Sequence, residues 1–488
     1  MAPDAPHGGG TAIGTDRAPA APATQYVGAM TPPQAAPAPA GLPSPTATAL
    51  LTDRYELTML QAALADGTAH RRCVFEVFTR RLPPGRRYGV VAGTGRLLEA
   101  LPDFRFTGTE LDWLADARVV DDATLEFLAG YRFGGSVRGY AEGEVFFPQS
   151  PLLVVEGTFA EAVLLETLVL SVLNHDSAVA SAASRMTSAA VDRPCLEMGA
   201  RRAHEEAAVA AARAAVVAGF AATSNLEAGR RYGLETIGTA AHAFTLLHDD
   251  EEAAFASQVA ALGPGTTLLV DTYDVRRGVE RAVAAAGTGL GAVRLDSGDL
   301  GVLAHEVRRQ LDGLGATGTR IVVTSDLDEY AIASLAAAPV DSYGVGTSVV
   351  TGSGAPTCGM VYKLVAREGR DGALAPVEKR STAKISVGGR KEAARRRGPD
   401  GRAVEEVLVV GPDASVVTWA PDDEALRPLL VPLVTDGEVD ASWTGPAGVV
   451  RARDRHRASR DELPRGARRL SADEAAVPTV TLRLPGRD

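Results

Sequence analysis

A pattern repeated seven times between Pro194 and Thr347 constrains the fold of this chain more than any other feature: a short apolar run stops in a cluster of small, polar or charged residues. Ala-rich stretches of helical period separate these runs. Alternation of strand, polar end and helix is typical of a parallel α/β barrel, in which the polar ends gather at one mouth and line the active site. The seven polar ends are EMGARR (Glu197–Arg202), FAATSN (Phe220–Asn225), TIGTAAH (Thr236–His242), LLVDTYD (Leu268–Asp274), VRLDSGD (Val293–Asp299), VVTSDLD (Val322–Asp328) and SYGVGTS (Ser342–Ser348).

Length and charge exclude several classes of protein. A chain of 488 residues is too long for one hydrophobic core, so we expect two or three domains. The net charge of −11 argues against non-specific binding to nucleic acid, although it leaves room for a basic pocket that binds a phosphorylated substrate. Because no apolar run is long enough to span a bilayer, we expect no membrane partner.

Cysteine usage and the N-terminal composition indicate a cellular compartment. Cys73, Cys195 and Cys358 are far apart and odd in number, so they form neither a disulfide framework nor a CxxC metal motif. The first 45 residues are rich in Ala, Pro, Gly and Thr and have no apolar segment of the kind that a secretory signal needs. We therefore expect a disordered tail and a reducing, cytoplasmic environment.

Hydrophobic patterning predicts an α/β fold, with an irregular TIM-like β/α barrel of seven units and an α+β N-terminal domain that C-terminal strands complete. A basic stretch, Lys379–Arg397, is expected to be a loop region, and the charged stretch from Arg451 is weakly patterned. The predicted parts are a tail (1–46), the N-terminal domain (47–158), the barrel (159–355), and the C-terminal strands with a charged tail (356–488). The predicted strands outside the barrel are Val74–Thr79, Glu144–Phe147, Leu152–Glu156, Val361–Ala366, Glu406–Val410 and Val416–Trp419. The stretches Glu161–Leu173 and Ser177–Val191 are predicted to be helical, and the clearest predicted helices are Ala203–Val217, Val275–Ala286 and Leu300–Leu314.

The fifth polar end contains the largest number of candidate functional residues. Arg294, Asp296, Ser297 and Asp299 lie within six positions of a strand end. Two carboxylates suit ribose hydroxyls or the shell of a Mg²⁺ ion, and an arginine fork suits a carboxylate or a phosphate. For Asp299 a structural alternative is equally plausible, because it can cap the helix that begins at Leu300.

The seventh polar end, SYGVGTS, predicts a phosphate site. Gly344 and Gly346 allow backbone N–H groups to converge on a phosphate, and Thr347 and Ser348 add hydroxyls. A glycine-rich loop alone is more often a simple turn. Its place after the seventh strand of a barrel, where phosphate sites are common, favours the functional interpretation.

Two further polar ends carry candidate residues. His242 follows the third strand and could be a base, a metal ligand or a phosphate acceptor, although a structural histidine is the commoner case. Arg201 and Arg202 follow the first strand, and one of them facing the mouth would suit a diphosphate. No Walker A loop, HExxH motif or nucleophile elbow occurs, which argues against a P-loop kinase or a zinc protease.

Seven motifs in one order resemble those of the nicotinate phosphoribosyltransferase family. The match runs from about Leu50 to about Gly389 and leaves out the N-terminal tail and the last hundred or so residues. Ala243 stands where the family often has serine, and the C-terminal region matches poorly. The motifs are LLTDRYELTM, FEVFTRRLPPG, EMGARRAH, TSNLEAGRRYG, GTAAHAF, RLDSGDL and GVGTSVVT…GMVYKLV.

The resemblance implies an enzyme that joins nicotinate to 5-phosphoribosyl 1-diphosphate (PRPP), coupled to ATP hydrolysis and assisted by Mg²⁺, in NAD salvage. It implies that His242 is phosphorylated by ATP during turnover. It also implies a homodimer, in which a residue outside the barrel reaches the neighbouring subunit's mouth. The implied nicotinate contacts are Tyr55, Thr239 and Arg294, and the implied donor contacts are Thr347, Gly346, Gly344, Asp296 and Arg201; no metal ligand is assigned.

Other functions stay open at this point. A nicotinamide phosphoribosyltransferase would share the fold and chemistry, but relatives that use nicotinamide carry an aspartate near the position of Ser224, where this chain has no carboxylate. A quinolinate phosphoribosyltransferase would work without ATP. A non-catalytic barrel could sense a phosphoribosyl metabolite, but the joint presence of Arg294, Asp296 and His242 argues against that.

Overall fold

The computed structural model describes residues 47–379, 387–411, 425–472 and 474–484. Its helices are α1 (Arg54–Ala65), α2 (Thr94–Ala100), α3 (Gly108–Asp116), α4 (Asp122–Ala129), α5 (Phe159–Val163), α6 (Glu166–Ala190), α7 (Glu205–Val217), α8 (Leu226–Tyr232), α9 (His242–Leu247), α10 (Glu251–Leu262), α11 (Val275–Ala286), α12 (Leu300–Gly313), α13 (Glu329–Ser334), α14 (Thr347–Val350) and α15 (Gly445–Asp461). Its strands are β1 (Arg72–Thr79), β2 (Gly89–Val90), β3 (Ser136–Tyr140), β4 (Val145–Phe146), β5 (Leu153–Thr158), β6 (Cys195–Glu197), β7 (Ala222–Thr223), β8 (Thr267–Leu269), β9 (Ala292–Leu295), β10 (Arg320–Val323), β11 (Ser342–Val345), β12 (Met360–Glu368), β13 (Leu374–Pro376), β14 (Arg390–Arg397), β15 (Ala403–Gly411), β16 (Leu426–Pro428), β17 (Leu430–Thr435), β18 (Glu438–Val439) and β19 (Thr479–Arg483).

An antiparallel sheet of order β13-β12-β1-β5-β3-β17-β18 forms the N-terminal layer. Its strand β1, of sequence RCVFEVFT, lies between β12 and β5 and is buried at every residue after Arg72, as expected for a strand covered on both faces. β12 pairs with β1, and β17 pairs with β3, so chain from beyond the barrel lies in the same sheet as the N-terminal strands. The boundaries of the predicted domains stay a prediction.

A parallel sheet of order β7-β6-β11-β10-β9-β8 forms the curled half-barrel. Helices of the predicted pattern connect its strands, and α11 and the start of α12 coincide with the prediction. The prediction of seven units is not confirmed, because six strands are hydrogen-bonded among the described residues. The third polar end contributes an isolated parallel bridge between Thr223 and Thr236 instead of a strand.

Three predictions outside the half-barrel need correction. The stretch Glu161–Leu173 and the stretch Ser177–Val191 were expected as two helices, but most of both lies in the single 25-residue helix α6. The expected loop region Lys379–Arg397 contains β14, and the weakly patterned stretch from Arg451 continues α15. The physical reason is burial of charge against distant partners, which a local pattern does not reveal. The predicted strand Val416–Trp419 lies outside the described residues.

A sheet of order β16-β14-β15-β19 buries an ion network beneath the C-terminal helix. Arg395 of β14 is fully buried and bonds Glu144 and Glu406, each at 2.8 Å. Arg427 bonds the same Glu144 at 2.9 Å. These pairs join the segment that precedes β4 to the C-terminal strands by charge-assisted hydrogen bonds.

Two hydrophobic clusters fill the interior, one beneath the half-barrel and one in the N-terminal layer. Cys73, Cys195 and Cys358 are free thiols that lie buried. Within the described ranges, no helix is both long and apolar enough to cross a membrane.

Candidate active site

The carboxyl ends of the parallel strands bring several predicted residues to one edge of the half-barrel. Arg294 lies in β9 and Asp296 follows that strand, while Thr324 follows the neighbouring β10. His242 is the first residue of α9. Since parallel strands end on the same side of a sheet, residues far apart in sequence meet there.

Arg294 is the centre of this cluster. Its Nη1 donates to Thr239 Oγ1 at 2.8 Å and to the Ala240 carbonyl oxygen at 3.1 Å. Its Nε donates to Thr324 Oγ1 at 3.0 Å, and its Nη2 lies 3.2 Å from Asp296 Oδ1. The side chain is 13% exposed. The guanidinium is thus fixed between two loops and still reaches solvent.

His242 lies beside this arginine cluster. Its Nδ1 is 3.1 Å from Thr272 Oγ1, and its Nε2 is 3.9 Å from Asp296 Oδ2. The ring is 41% exposed. In the tautomer whose Nδ1–H donates to the threonine hydroxyl, Nε2 keeps its lone pair, and the ring can then act as a nucleophile toward a bound molecule.

Asp271 had no predicted role, and the structure brings it into the site. Its Oδ2 accepts the Asp296 backbone N–H and the Ser297 hydroxyl, each at 2.8 Å. Its Oδ1 is buried and has no hydrogen-bond partner among the described residues. The only sequence signal was its place at a polar strand end, LLVDTYD. An unpartnered buried carboxylate oxygen is free to receive a ligand or a cation.

Glu197 is a second residue of this edge that had no predicted role. It is fully buried at the end of β6, where Thr223 Oγ1 and the Gly199 backbone N–H donate to its carboxylate. Burial raises the pKa of this carboxyl, while these two hydrogen bonds act in the opposite direction. The carboxyl joins the loops that follow β6 and β7, which fixes the backbone ahead of the Arg201 segment.

The predicted phosphate residues lie in and after β11. Gly344 is a buried residue of that strand, and a Cβ there would lie 2.4 Å from Thr324 Cγ2 and 2.8 Å from Met198 Sδ. Close packing therefore accounts for this glycine. Gly346 precedes α14, and Thr347 begins that helix with an exposed side chain. Thr347 is thus available to a ligand at the same edge of the sheet.

Two predicted residues, Arg201 and Tyr55, have exposed side chains and are not among the hydrogen-bond partners of Arg294. Arg201 is exposed in a 3-10 turn after β6, as is Arg202. Tyr55 lies on α1 and is 44% exposed; burial and the neighbouring carboxylates, Glu166 first among them, raise its pKa. The charged groups beside it, Glu166, Glu56 and Asp53, all lie outside the cluster around Arg294.

For Asp299 the structural interpretation is confirmed. Its carboxylate accepts the Val302 backbone N–H at 3.1 Å and caps α12. The residue therefore satisfies an N-terminal donor of the helix.

The chain is similar in sequence to known proteins. Residues 50–174 match the model of the nicotinate phosphoribosyltransferase (NAPRTase) N-terminal domain. The chain is 58% identical over 441 residues to nicotinate phosphoribosyltransferase pncB1 of Mycobacterium tuberculosis, covering 89% of this chain and 95% of the relative. It is 39% identical to nicotinate phosphoribosyltransferase of Bacillus subtilis, covering 71% and 72%.

A solved structure is similar over nearly the same length. The human nicotinic acid phosphoribosyltransferase superposes with a TM-score of 0.73 at 27% identity, covering 88% of this chain and 97% of that one. The nicotinate-nucleotide pyrophosphorylase of Pyrococcus furiosus superposes with a TM-score of 0.68 at 25% identity, covering 85% and 95%. With relatives this similar over most of its length, the chain belongs to the nicotinate phosphoribosyltransferase family.

Proposed function

We propose that this enzyme joins nicotinate to PRPP, giving nicotinate mononucleotide and diphosphate, and that it serves NAD salvage. The observation that carries the proposal is the fixed guanidinium of Arg294, held by Thr239, Thr324 and Asp296 in a member of this family. A pre-oriented arginine fork at a barrel mouth suits recognition of a small carboxylate.

Nicotinate binding would use groups that are already oriented. Both Nη1 hydrogens and the Nε hydrogen of Arg294 are committed, and one Nη2 hydrogen faces Asp296. The Thr239 hydroxyl donates to the Ala240 carbonyl oxygen over a long 3.4 Å. Once turned away from that oxygen, its hydrogen can donate to one carboxylate together with the remaining Nη2 hydrogen. Because Thr239 accepts from the arginine, its own proton is polarised toward the substrate.

The transfer itself needs no covalent nucleophile toward the sugar. The pyridine nitrogen of nicotinate forms a bond to ribose C1, the C1–O bond breaks, and diphosphate leaves with the electron pair. Asp296 would orient the ribose hydroxyls, while Gly344, Gly346, Thr347 and Arg201 would bind the donor's phosphate and diphosphate. Alignment of the two reactants and stabilisation of the leaving anion supply the rate enhancement.

The acidic residues of the site fit a shared Mg²⁺ ion. Mg²⁺ keeps several waters and takes one or two protein carboxylates together with substrate phosphates. The unpartnered Oδ1 of Asp271 and the nearby Asp296 provide such a pair, and the described residues contain no cluster of three or more ligands. When bound, the ion would neutralise charge on the diphosphate.

Coupling to ATP would pass through His242. Its Nε2 attacks the γ-phosphorus of ATP, a P–N bond forms, and ADP leaves as the P–O bond breaks; water later cleaves the P–N bond to release phosphate. The ring's exposure and the Thr272 contact at Nδ1 support this role. A phosphorylated ring carries about two negative charges, by analogy with phosphoserine. That charge would reorganise the donor site and promote product release on its loss.

The test is nicotinate-dependent ATP hydrolysis, followed together with nicotinate mononucleotide formation. His242→Asn should abolish the nicotinate-dependent hydrolysis and any acid-labile phosphate on the protein. His248→Asn is the matched control, since His248 directly follows the same helix α9 and its ring bonds the Phe244 carbonyl. Acid-labile phosphate retained by His242→Asn would remove His242 from this role, and equal use of nicotinamide in competition would change the assigned acceptor.

We also propose a homodimer with shared sites, because Tyr55 would pack on nicotinate from the neighbouring subunit. Its exposed ring, beside charged groups that lie outside the cluster around Arg294, supports this arrangement. Mixing inactive Tyr55→Ala with inactive His242→Asn should restore activity, since a mixed dimer holds one intact site. An active wild-type monomer in light scattering, or no recovery on mixing, would contradict it.

A further inference from the structure

Three consecutive residues after α14 adopt left-handed backbone conformations. The φ angles are +63° at Gly352, +52° at Ser353 and +82° at Gly354. Ser353 is the non-glycine residue in this turn, and L side chains rarely adopt such φ values. A strained turn of this kind persists only where surrounding contacts fix it, so the residues that contact the turn indicate its function.

A buried carboxylate fixes the turn. Ser353 Oγ donates to Glu329 Oε2 at 2.6 Å, and the Glu329 side chain is 1% exposed. Arg86 Nη1 and Arg185 Nε both donate to Glu329 Oε1, at 2.8 and 2.9 Å. Arg86 Nη2 also donates to the Gly352 carbonyl oxygen at 2.9 Å. Two arginines and one glutamate thus hold the turn and leave one positive charge beneath it.

The turn is joined rigidly to the end of β11. The Ser353 N–H donates to the Ser348 carbonyl at 2.6 Å, and the Thr351 N–H donates to the Thr347 carbonyl at 3.1 Å. Helix α14 has four residues, so about 6 Å separates its two ends. A shift of the turn would therefore move the Thr347 backbone with it.

We propose that Glu329, acting through Ser353, is a positioning residue that sets the donor-phosphate loop at Gly346 and Thr347. The proposal rests on the proposed function for the identity of the donor. Arg86 comes from the loop between β1 and β2, and Arg185 comes from α6, so the same carboxylate ties the N-terminal layer to the loop. The residue touches no substrate and acts by fixing the geometry of groups that do.

The experiment measures donor binding and steady-state kinetics for Ser353→Ala, Ser353→Gly and Glu329→Gln. Titration calorimetry with PRPP and Mg²⁺, without nicotinate, gives donor affinity directly. We expect the KM for the donor to rise about tenfold in Glu329→Gln and about fivefold in the Ser353 variants, with kcat and the nicotinate KM within about twofold of wild type. Ser353→Gly relieves the backbone strain, so an unchanged donor KM in that variant would overturn the role of the hydrogen bond.

Glu406→Gln is the matched control. Glu406 is a fully buried carboxylate that accepts from Arg395 Nη2 and from the Tyr140 hydroxyl, each at 2.8 Å, in a different part of the fold. It should lower the melting temperature without changing donor affinity. An equal loss of donor affinity in this control would reduce Glu329 to a structural role.

The experiment separates a failure of the positioning role from a failure to fold and from a failure of the proposed function. If Glu329→Gln fails to fold, the Ser353 variants decide, because they leave both arginine–glutamate pairs intact. If wild type binds the donor but turns over no nicotinate, the proposed function fails, while the calorimetric comparison still decides the positioning role.

Discussion

Arg395 and Arg294 each hold carboxylates, yet their surroundings differ in a way that separates structure from function. Arg395 is fully buried, and the carboxylate oxygens of its partners Glu144 and Glu406 all accept hydrogen bonds. Arg294 lies at the barrel mouth, and the adjoining Asp271 has a buried oxygen without a described partner. Every carboxylate oxygen of Glu144 and Glu406 thus has a donor, although the Nε atoms of Arg395 and Arg427 lack a hydrogen-bond partner among the described residues. At the mouth, by contrast, it is an acceptor oxygen that has no donor.

The ionisation of Glu144 illustrates the first case. Burial alone would raise its pKa, but Arg395, Arg427 and Arg455 together lower it to about 2. A carboxylate so strongly held contributes to folding and has no proton to exchange near neutral pH. Charged residue types alone therefore do not mark a site; a carboxylate oxygen without a donor, beside arginine and histidine side chains that reach solvent, does.

The largest effect is expected from Arg395→Met. Removing the arginine leaves Glu144 and Glu406 buried without their shared partner, so the free energy of unfolding should fall by about 3–5 kcal/mol. Urea unfolding followed by circular dichroism measures this loss. The folded variant, assayed at low temperature, should keep kcat/KM within about twofold.

The control for that prediction is Arg230→Met, which breaks an exposed pair with Glu227 on α8. Solvent screens this pair, so stability should hardly change. Similar losses in the two variants would contradict the distinction between buried and exposed pairs.

Arg294→Ala should have the opposite profile. We expect kcat/KM to fall about hundredfold, because the substrate loses an oriented donor, while the unfolding midpoint changes little. Arg294→Lys should not restore activity, since an ammonium cannot replace the planar fork. Steady-state kinetics and thermal melts measure the two quantities.

Arg193→Ala is the matched control for the mouth. Arg193 bonds the Tyr343 hydroxyl at 2.8 Å and the Leu335 carbonyl oxygen at 3.1 Å. It precedes β6 and therefore lies at the opposite end of the strands that carry the mouth residues. This variant should lose stability and keep kcat/KM. A fall in kcat/KM equal to that of Arg294→Ala would mean that activity does not depend specifically on the residues of the mouth.

Sequence alone predicted the parts of the fold with strong local signals. Helix α11 was predicted to the residue, because Asp274 caps a clear 3.6-residue pattern, and Asp299 similarly marks the start of α12. The cluster of Arg294, Asp296 and His242 also follows from sequence, since polar residues after parallel strands must share an edge.

Long-range burial explains what sequence did not predict. The run RKEAARRR was expected as a loop, yet β14 buries Arg395 against Glu144, 251 positions away along the chain. Asp271 stood at a polar strand end like the other candidates, but its unpartnered oxygen is visible only when β8 and β9 are paired. Glu329 gave no signal at all, because each of its partners comes from a different element.

The smallest effect is expected at His456. Variants of this residue test whether the pH dependence of stability arises from a buried histidine and not from groups at the mouth. His456 is fully buried in α15, and its Nε2 lies 2.9 Å from Ser184 Oγ of α6. Burial first, and then the nearby Arg460, lower its pKa to about 3. The unfolded chain, with an imidazole pKa near 6.5, binds this proton more readily, so stability is present above pH 6.5 and decreases as pH falls toward 3.

Between pH 7.5 and 5.5, this histidine should lower the free energy of unfolding by about 1.4 kcal/mol, because only the unfolded state takes up the proton. His456→Gln should lose that part of the pH dependence, whatever its stability at pH 7.5. His204→Gln, at an exposed histidine near the mouth, should retain the wild-type dependence. Urea unfolding at both pH values measures this dependence. If His456→Gln keeps the wild-type change in unfolding free energy between the two pH values, the buried imidazole is not the titrating group. If His204→Gln alters that change, the pH dependence arises at the mouth.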